Sequence, residues 1–588
     1  MIKVLMRSVR EYRTPSILSP VYVSMEVVLE CIIPYIMSRL INEIYGNDMK
    51  NILTYGFILL GMAFLSLACG ALAGKYCAKA AVGFAKNLRR DMYAKVQTFS
   101  FANIDKFSSA SLVTRLTTDV TNVQNAYMMI IRIAVRSPLM LVFSLVMALV
   151  VNAEMALIFA VLLPLLGFSM FLLIRRVYPM FKSVFDRYDN LNDSVQENVK
   201  GIRVVKAYVR EEYEKNKFFS KTEELRKDFT RAETTIALAN PIMTFCMYAA
   251  SLVIAGWGAY IIVKTFGGYD ASGLPVWGQL STGDLSSMMT YAIQILSSLM
   301  MLSMILVNIA MSRASAERIV EVLSEQSEIV NPDNPVTEVA DGRVDFDGVS
   351  FKYSASAEKL ALYGIDLHIA SGETVGILGG TGSGKSSLIQ LIPRLYDVTS
   401  GSVRVAGVDV RNYDLKTLRD SVSVVLQKNE LFGGTVKENL RWGNENATDE
   451  EIVEAAKAAQ AHEFVSAMPF GYDSRIEQGG VNVSGGQKQR LCIARALLKK
   501  PKVLIFDDST SAVDTATDYR IRTALKNVIP GTTKIIIAQR VASVMDADKI
   551  VVMDGGTVAA VGTHEQLLRE CEIYREVYET QTKAGENE

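Results

Sequence analysis

Histidine is scarce in this chain of 588 residues. Only His368, His462 and His564 occur, at no metal-ligand spacing, which argues against a zinc centre. The six cysteines (Cys31, Cys69, Cys77, Cys246, Cys492, Cys571) lie far apart with no C-x-x-C pair, so neither a disulfide framework nor a redox motif is present. They read as small apolar fillers in a reducing or lipidic setting. Net charge is missing too: 62 Lys and Arg balance 62 Asp and Glu, and no global field draws nucleic acid. A cleavable signal peptide is not expected. Met1 to Arg13 is basic and amphipathic, and the apolar stretch behind it is long enough to stay as a membrane span, so the start reads as an interfacial helix.

Apolar residues are abundant instead, at 50% of the chain, with mean hydropathy +0.20. The long apolar runs are confined to roughly the first 312 residues, giving a membrane half followed by a soluble half. Stretches of about 20 residues or more, enough to cross ~30 Å of hydrocarbon as helices, fall near 17–42, 53–74, 126–151, 155–174, 241–266 and 287–311. An even number puts both ends on one side. The loop 75–125 carries eight basic residues, Lys75, Lys79, Lys86, Arg89, Arg90, Lys95, Lys106 and Arg115, and the loop 175–240 carries fourteen more, against Lys50 alone on the other side. The bias predicts that both long loops and the soluble half are cytosolic. Loops of 51 and 66 residues with helical periodicity imply spans that extend beyond the membrane. Their turns, expected around Arg115–Gln124 and Ala207–Phe219, would be short helices able to touch a cytosolic domain, or simply solvated helical faces.

Ionisable residues also occur inside the spans: Glu26 and Glu30 four apart, Arg132 and Arg136 likewise. Such groups either pair structurally or face the bundle interior or a watery cavity. The fifth and sixth spans are dense in methionine (Met243, Met247, Met288, Met289, Met300, Met301, Met304, Met311), with Phe245, Tyr248 and Tyr291 among them. That suits an adaptable apolar pocket, and equally ordinary helix packing.

After a polar, proline-containing linker, Glu325–Gly342, Arg343–Asp347 alternates as a strand should. Thr374–Leu378 is a buried-strand run that leads into Gly379-Gly380-Thr381-Gly382-Ser383-Gly384-Lys385-Ser386, with Ser387 onward starting a helix. Strand, glycine loop and helix are the context a P-loop needs. Its backbone N–H groups cradle phosphates, Lys385 reaches the outer phosphates, and the Ser386 hydroxyl suits Mg²⁺. Val503–Asp507 is a second buried strand that ends in a Mg²⁺-type carboxylate, and Lys534–Ala538 a third that ends at Gln539. An all-parallel core of this kind would carry helices on both faces.

From Arg343 onward the chain resembles the nucleotide-binding domain of ATP-binding cassette transporters, and the front half resembles their six-helix exporter-type membrane domain. Val483-Ser484-Gly485-Gly486-Gln487-Lys488-Gln489-Arg490 is similar to the family signature, with Val for the usual Leu. The implied fold is a multidomain membrane protein, with a transmembrane domain over 1–325, a linker over 326–342 and an α/β P-loop domain over 343–588. The resemblance further implies that ATP and Mg²⁺ are the cofactors, that Tyr353 stacks on adenine, that Gln427 senses Mg²⁺ and the attacking water, and that Ser511–Asp514, with Asp514, crosses a dimer interface. Each ATP would lie between one chain's P-loop and the other's Ser484, Gly485, Gly486 and Gln487. The cytosolic turns would be the coupling helices.

Two positions depart from the family. Asp508 follows Asp507 where Glu is usual, and Gln539 stands where His is expected. Loss of one methylene withdraws the carboxylate by ~1.5 Å, and a misplaced general base forfeits roughly 10²–10⁴-fold. This pairing resembles one subunit of the heterodimeric bacterial multidrug exporters, with a degenerate site on this chain's P-loop. The expectation is therefore outward transport of an amphipathic small molecule across a bacterial plasma membrane, alongside a second half-transporter. A lipid, peptide or siderophore carrier, or a regulatory ATP-binding subunit, are the alternatives, and the lack of a peptidase-like segment before the first span argues against a leader-cleaving peptide exporter.

Overall fold

A computed structural model describes residues 1–46, 48–268, 275–354, 357–508 and 515–585. They form two compact units, one of Met1–Gln97 with Ala110–Ser324, the other of Thr98–Ser109 with Glu325–Glu588.

The first unit is helical. A short helix α1 (Ile2–Met6) and a 3-10 turn precede α2 (Arg13–Gly46) and α3 (Met49–Gln97). Gly83 of α3 sits where any Cβ would stand 2.3 Å from ring carbons of Tyr12, so the missing side chain admits the aromatic of the entry segment. Past α4 (Phe101–Phe107), which belongs to the second unit, α5 (Ser109–Thr114) and a π-helical turn Arg115–Asp119 lead into α6 (Val120–Val151), then α7 (Ala153–Lys200), α8 (Ile202–Ala207), α9 (Glu211–Ala237), α10 (Ala239–Thr265) and α11 (Thr282–Ser324). Six helical stretches among the described residues are long and apolar enough to cross a membrane. Several run far past the spans expected from sequence: α3 has 49 residues and α7 has 48.

Packing of α2 along α3, α6 and α11 is pinned by polar groups that a hydrocarbon setting leaves no water to satisfy. Ser19 Oγ donates to the Ala73 carbonyl at 3.2 Å, Tyr127 Oη to Ser16 Oγ at 2.7 Å, and Tyr291 Oη to the Cys31 carbonyl at 2.9 Å.

The first expected cytosolic turn is corrected. Residues 115–124 are a π-helical turn and the start of α6, and the short helix of that loop is α4. Within the π turn the buried Arg115 donates to Glu321 at 2.7 Å, and the buried Asp119 accepts from Arg318 Nε at 2.7 Å, both partners on α11. In the second loop the short helix is α8, and 211–219 already belongs to α9. The methionines divide: Met288 and Met243 are buried, as is Tyr291, whereas Met300, Met301, Met304, Phe245 and Tyr248 are exposed.

In the second unit, β1 (Val344–Phe351), β2 (Leu362–Ile369), β4 (Ser400–Val405) and β5 (Val408–Asp409) make an antiparallel sheet in the order β2-β1-β4-β5. A six-stranded sheet runs β12-β11-β3-β10-β9-β6, from β3 (Thr374–Gly379), β6 (Val422–Val425), β9 (Val503–Asp507), β10 (Thr533–Ile537), β11 (Lys549–Asp554) and β12 (Thr557–Gly562). The expectation of an all-parallel core is corrected at one edge, where β12 returns antiparallel to β11 through the Gly555-Gly556 turn. Both residues of that turn have positive φ, which glycine adopts without strain. β3, β9 and β10 are buried almost throughout, as strands covered on both faces must be. Helix α12 (Lys385–Leu391) follows β3, and α13 (Leu415–Ser421) precedes β6. A helical lobe of α14 (Val436–Arg441), α15 (Asp449–Ala458), α16 (His462–Ser466) and α17 (Gly485–Leu498) follows, with β7 (Gly434–Thr435) and β8 (Arg475–Ile476) paired beside it. α18 (Thr515–Val528) lies between β9 and β10.

Candidate nucleotide-binding site

The site is assembled at the carboxyl ends of the parallel strands, where open α/β sheets bind ligands. β3 runs into the glycine loop, and Gly384 caps α12 with φ +92°. A Cβ there would also meet the Ala361 carbonyl at 2.9 Å, so only glycine fits. Thr381 and Gly382 are exposed at the loop's tip, and Ser383 is buried. Lys385 Nζ folds back over the loop, donating to the carbonyls of Gly379 (2.9 Å) and Gly380 (2.7 Å) and to Ser383 Oγ (3.3 Å). The ammonium is thus held against the glycine loop by three hydrogen bonds. Burial pushes its pKa below the ordinary lysine value, against the opposing pull of Asp508 and Asp507.

Ser386 Oγ donates to Asp507 Oδ1 at 2.9 Å, bringing the hydroxyl after the P-loop lysine onto the carboxylate at the end of β9. Burial lifts the Asp507 carboxyl above its usual value; Asp508 adds to this, and the Ser386 hydroxyl and Lys385 oppose it. No group of three or more His, Cys, Asp or Glu side chains among the described residues could cage a metal by itself. One hydroxyl and one carboxylate beside a phosphate loop are the donor set Mg²⁺ takes when the nucleotide and water supply its remaining ligands.

Asp508 is buried and holds a left-handed backbone, φ +47°, with its N–H donating to the Ile537 carbonyl at 3.1 Å. Its Oδ2 accepts from two amides, Gln539 Nε2 at 2.7 Å and Gln427 Nε2 at 3.3 Å. The three residues singled out for catalysis therefore meet at one oxygen, coming from the ends of β9, β10 and β6.

Ser484 caps α17: its Oγ accepts from the Gln487 N–H at 3.3 Å, and Gln487 Oε1 accepts from the Ser484 N–H at 2.9 Å. Ser484 and Gly485 are exposed and Gly486 is partly so, which leaves the positive end of a 14-residue helix facing outward. Within this chain the signature and the P-loop share no hydrogen bond among the described residues. Asp514 and the rest of Ser511–Asp514 lie outside the described residues.

Tyr353, beyond the end of β1, is half exposed, and its hydroxyl shares a 2.8 Å hydrogen bond with Ser387 Oγ. Its ring stands edge-on to Phe351 and to Tyr396, with centroids 4.9 and 5.2 Å away. Tyr396 was not expected from sequence. It is buried, packs on Phe101 of α4 and donates to Asp105 Oδ2 at 2.7 Å; burial and that acceptor push its phenol well above the ordinary tyrosine value. α4 is held further by Asn103 and Lys106, both bonded to Glu325 (2.9 and 2.8 Å). No motif marks Tyr396. The available signal was an aromatic one turn beyond the P-loop helix.

A membrane-spanning bundle joined to a P-loop α/β domain, with an outward-facing signature helix, defines a membrane-bound nucleotide-driven transporter. Comparison with known proteins agrees: residues 17–300 match the ABC transporter transmembrane region and residues 362–511 the ABC transporter domain. The chain belongs to the ABC transporters, as an exporter-type half-transporter that binds ATP and couples its hydrolysis to transport. It is 35% identical to the uncharacterized ABC transporter ATP-binding protein YfiB of Bacillus subtilis, over 95% of this chain and 94% of that one. An uncharacterized ABC transporter ATP-binding protein of Mycobacterium tuberculosis is 33% identical over 99% of this chain and 98% of its own length. The solved structure of a bacterial Atm1-family ABC exporter with ATP bound shares the fold, with TM-score 0.80, 23% identity and coverage of 97% and 98%.

Proposed function

We propose that this chain is one half of a heterodimeric exporter of amphipathic small molecules, of multidrug type, and that the ATP held on its own P-loop is hydrolysed slowly. The observation that carries the reading is the trio at Asp508. A general base must reach a water ~2.6–3.2 Å away. Here the carboxylate is one methylene short, and one of its oxygens is already occupied by the Gln539 and Gln427 amides. Gln539 can donate to a terminal phosphate but cannot change charge as histidine does. The groups that hold ATP and Mg²⁺, namely Lys385, Ser386 and Asp507, are in place.

Ser484 to Gln487 would complete the partner's competent site, with α17 directing its N-terminus at the partner's nucleotide. The apolar tip of the second cytosolic excursion supports a partner as well, since Val204, Tyr208 and Val209 are 60%, 75% and 81% exposed on a single chain. Both termini and the nucleotide domain would be cytosolic, in a bacterial plasma membrane.

Steady-state ATPase of the assembled pair tests the reading. Asp508→Asn keeps most of the activity, whereas Ser484→Arg, or Glu→Gln at the partner's catalytic carboxylate, removes more than nine-tenths of it. Equal losses from Asp508→Asn and Ser484→Arg would mean that this chain hydrolyses for itself, as a homodimer does.

A further inference from the structure

Inside the helical unit, α2 presents Tyr22, Glu26 and Glu30 at four-residue intervals, hence on one face. Arg136 of α6 bridges both acids: its Nη1 donates to Glu26 Oε1 at 2.5 Å and its Nη2 to Glu30 at 2.9 and 2.7 Å. Two carboxylates share one guanidinium. Glu26 is 8% exposed, and its second oxygen, Oε2, is buried with no hydrogen-bond partner. Gly70 of α3 makes room for this carboxylate, since a Cβ there would stand 3.0 Å from Glu26 Oε1 and 3.5 Å from Oε2. One turn away, Tyr22 and Tyr76 stack with centroids 5.6 Å apart and planes 5° from parallel. Arg132, one turn before Arg136 on α6, lies against Gly74 and forms no ion pair with either acid.

A clamp between α2 and α6 explains Arg136 with Glu30, but it needs no second acid and no orphan oxygen. A buried acidic oxygen without a hydrogen-bond partner at membrane depth is costly and persists where function uses it. A phosphate or carboxylate ligand would set its own lone pairs against Oε2, and a neutral donor would satisfy that oxygen without drawing on its charge. A lipophilic cation satisfies both features, its charge against Oε2 and its apolar groups against the tyrosine faces, where cation–π attraction adds to the ion pair.

We propose that Glu26, with Tyr22 and Tyr76 beside it, forms an intramembrane binding site for the cationic group of an amphipathic organic molecule, and that Arg136 with Glu30 holds the site's shape. The assignment rests on the reading of the chain as an exporter of amphipathic compounds and names the charge such a compound carries.

Saturable binding of tetraphenylphosphonium to the detergent-solubilised full transporter, corrected for empty micelles, tests the site without requiring transport. Tetraphenylborate, equal in shape and opposite in charge, is the control. Glu26→Gln should weaken phosphonium binding at least tenfold and leave any tetraphenylborate binding within twofold. Glu26→Asp should recover part of the loss, and Arg132→Gln, which removes a nearby positive charge, should tighten phosphonium binding severalfold. A damaged fold cannot produce that last gain. Phosphonium affinity unchanged in Glu26→Gln, or lost together with borate affinity, overturns the proposal. ATP-driven phosphonium uptake into inside-out vesicles is scored separately: binding that depends on Glu26 without uptake rejects the exporter reading and leaves the site standing.

Discussion

At Asp507 the physical chemistry of one carboxyl sets a measurable condition on ATP binding. Its folded pKa is raised, chiefly by burial, so the folded chain holds this proton more tightly than the unfolded chain does. The destabilisation is therefore absent below the unfolded carboxylate pKa, grows as pH rises through the window between the two values, and is complete above the folded one. Asp507→Asn removes a charge that folding must desolvate, so the nucleotide-free protein should melt no lower than wild type at neutral pH. The same change should weaken Mg²⁺-dependent ATP binding roughly 10–100-fold, the usual scale for perturbing a metal site. Titration calorimetry with and without Mg²⁺ measures the second effect. In the wild type, the Mg²⁺-dependent part of the affinity should decline, as pH falls, earlier than an ordinary carboxylate would make it.

Among the elements, those whose signal is local were legible in the sequence. The P-loop declares itself because strand, glycines, lysine and helix are contiguous, and β9 and β10 because a strand buried on both faces is apolar throughout. The turn of the first long loop was not legible. Charge and periodicity favour 115–124, yet Arg115 and Asp119 are drawn into pairs with Glu321 and Arg318, some two hundred positions away. α4 has only seven residues and no pattern of its own; Tyr396 and Glu325 hold it. The convergence of Gln427 and Gln539 on one oxygen of Asp508 was likewise invisible, because three strand ends meet only after the sheet forms. Element packing also yields a test at Gly83. Gly83→Ala forces a methyl into the Tyr12 ring and should cost about 1–3 kcal/mol. The loss would show as a lower thermal midpoint of the purified protein, partly recovered when Tyr12 is also reduced to Ser.

At the scale of the whole molecule, direction is the property to measure. The two long loops hold eight and fourteen basic residues, and the opposite side holds Lys50 alone. Inside-out vesicles carrying the complete pair should accumulate a fluorescent amphipathic cation on addition of Mg-ATP. ATP-driven release of the probe from such vesicles would reverse the assignment.

The grouping of Thr98–Ser109 with the distant nucleotide domain also fixes an order of events during synthesis. Asp105 meets Tyr396 across 291 positions of chain. At about 5–20 residues per second, the ribosome separates those partners by roughly 15–60 s. A seven-residue helix is far too short to hold itself together in water. Throughout that interval the segment lacks its partner while the chain from α6 to α11 is synthesised. Closing so long a loop adds little entropic cost beyond a short one. The delay therefore bears on the timing of folding rather than on stability. Until Tyr396 emerges and folds, Phe101 and Asp105 lack the ring and the hydroxyl they meet in the finished chain, so the Asp105–Tyr396 bond can form only once the last domain has been made.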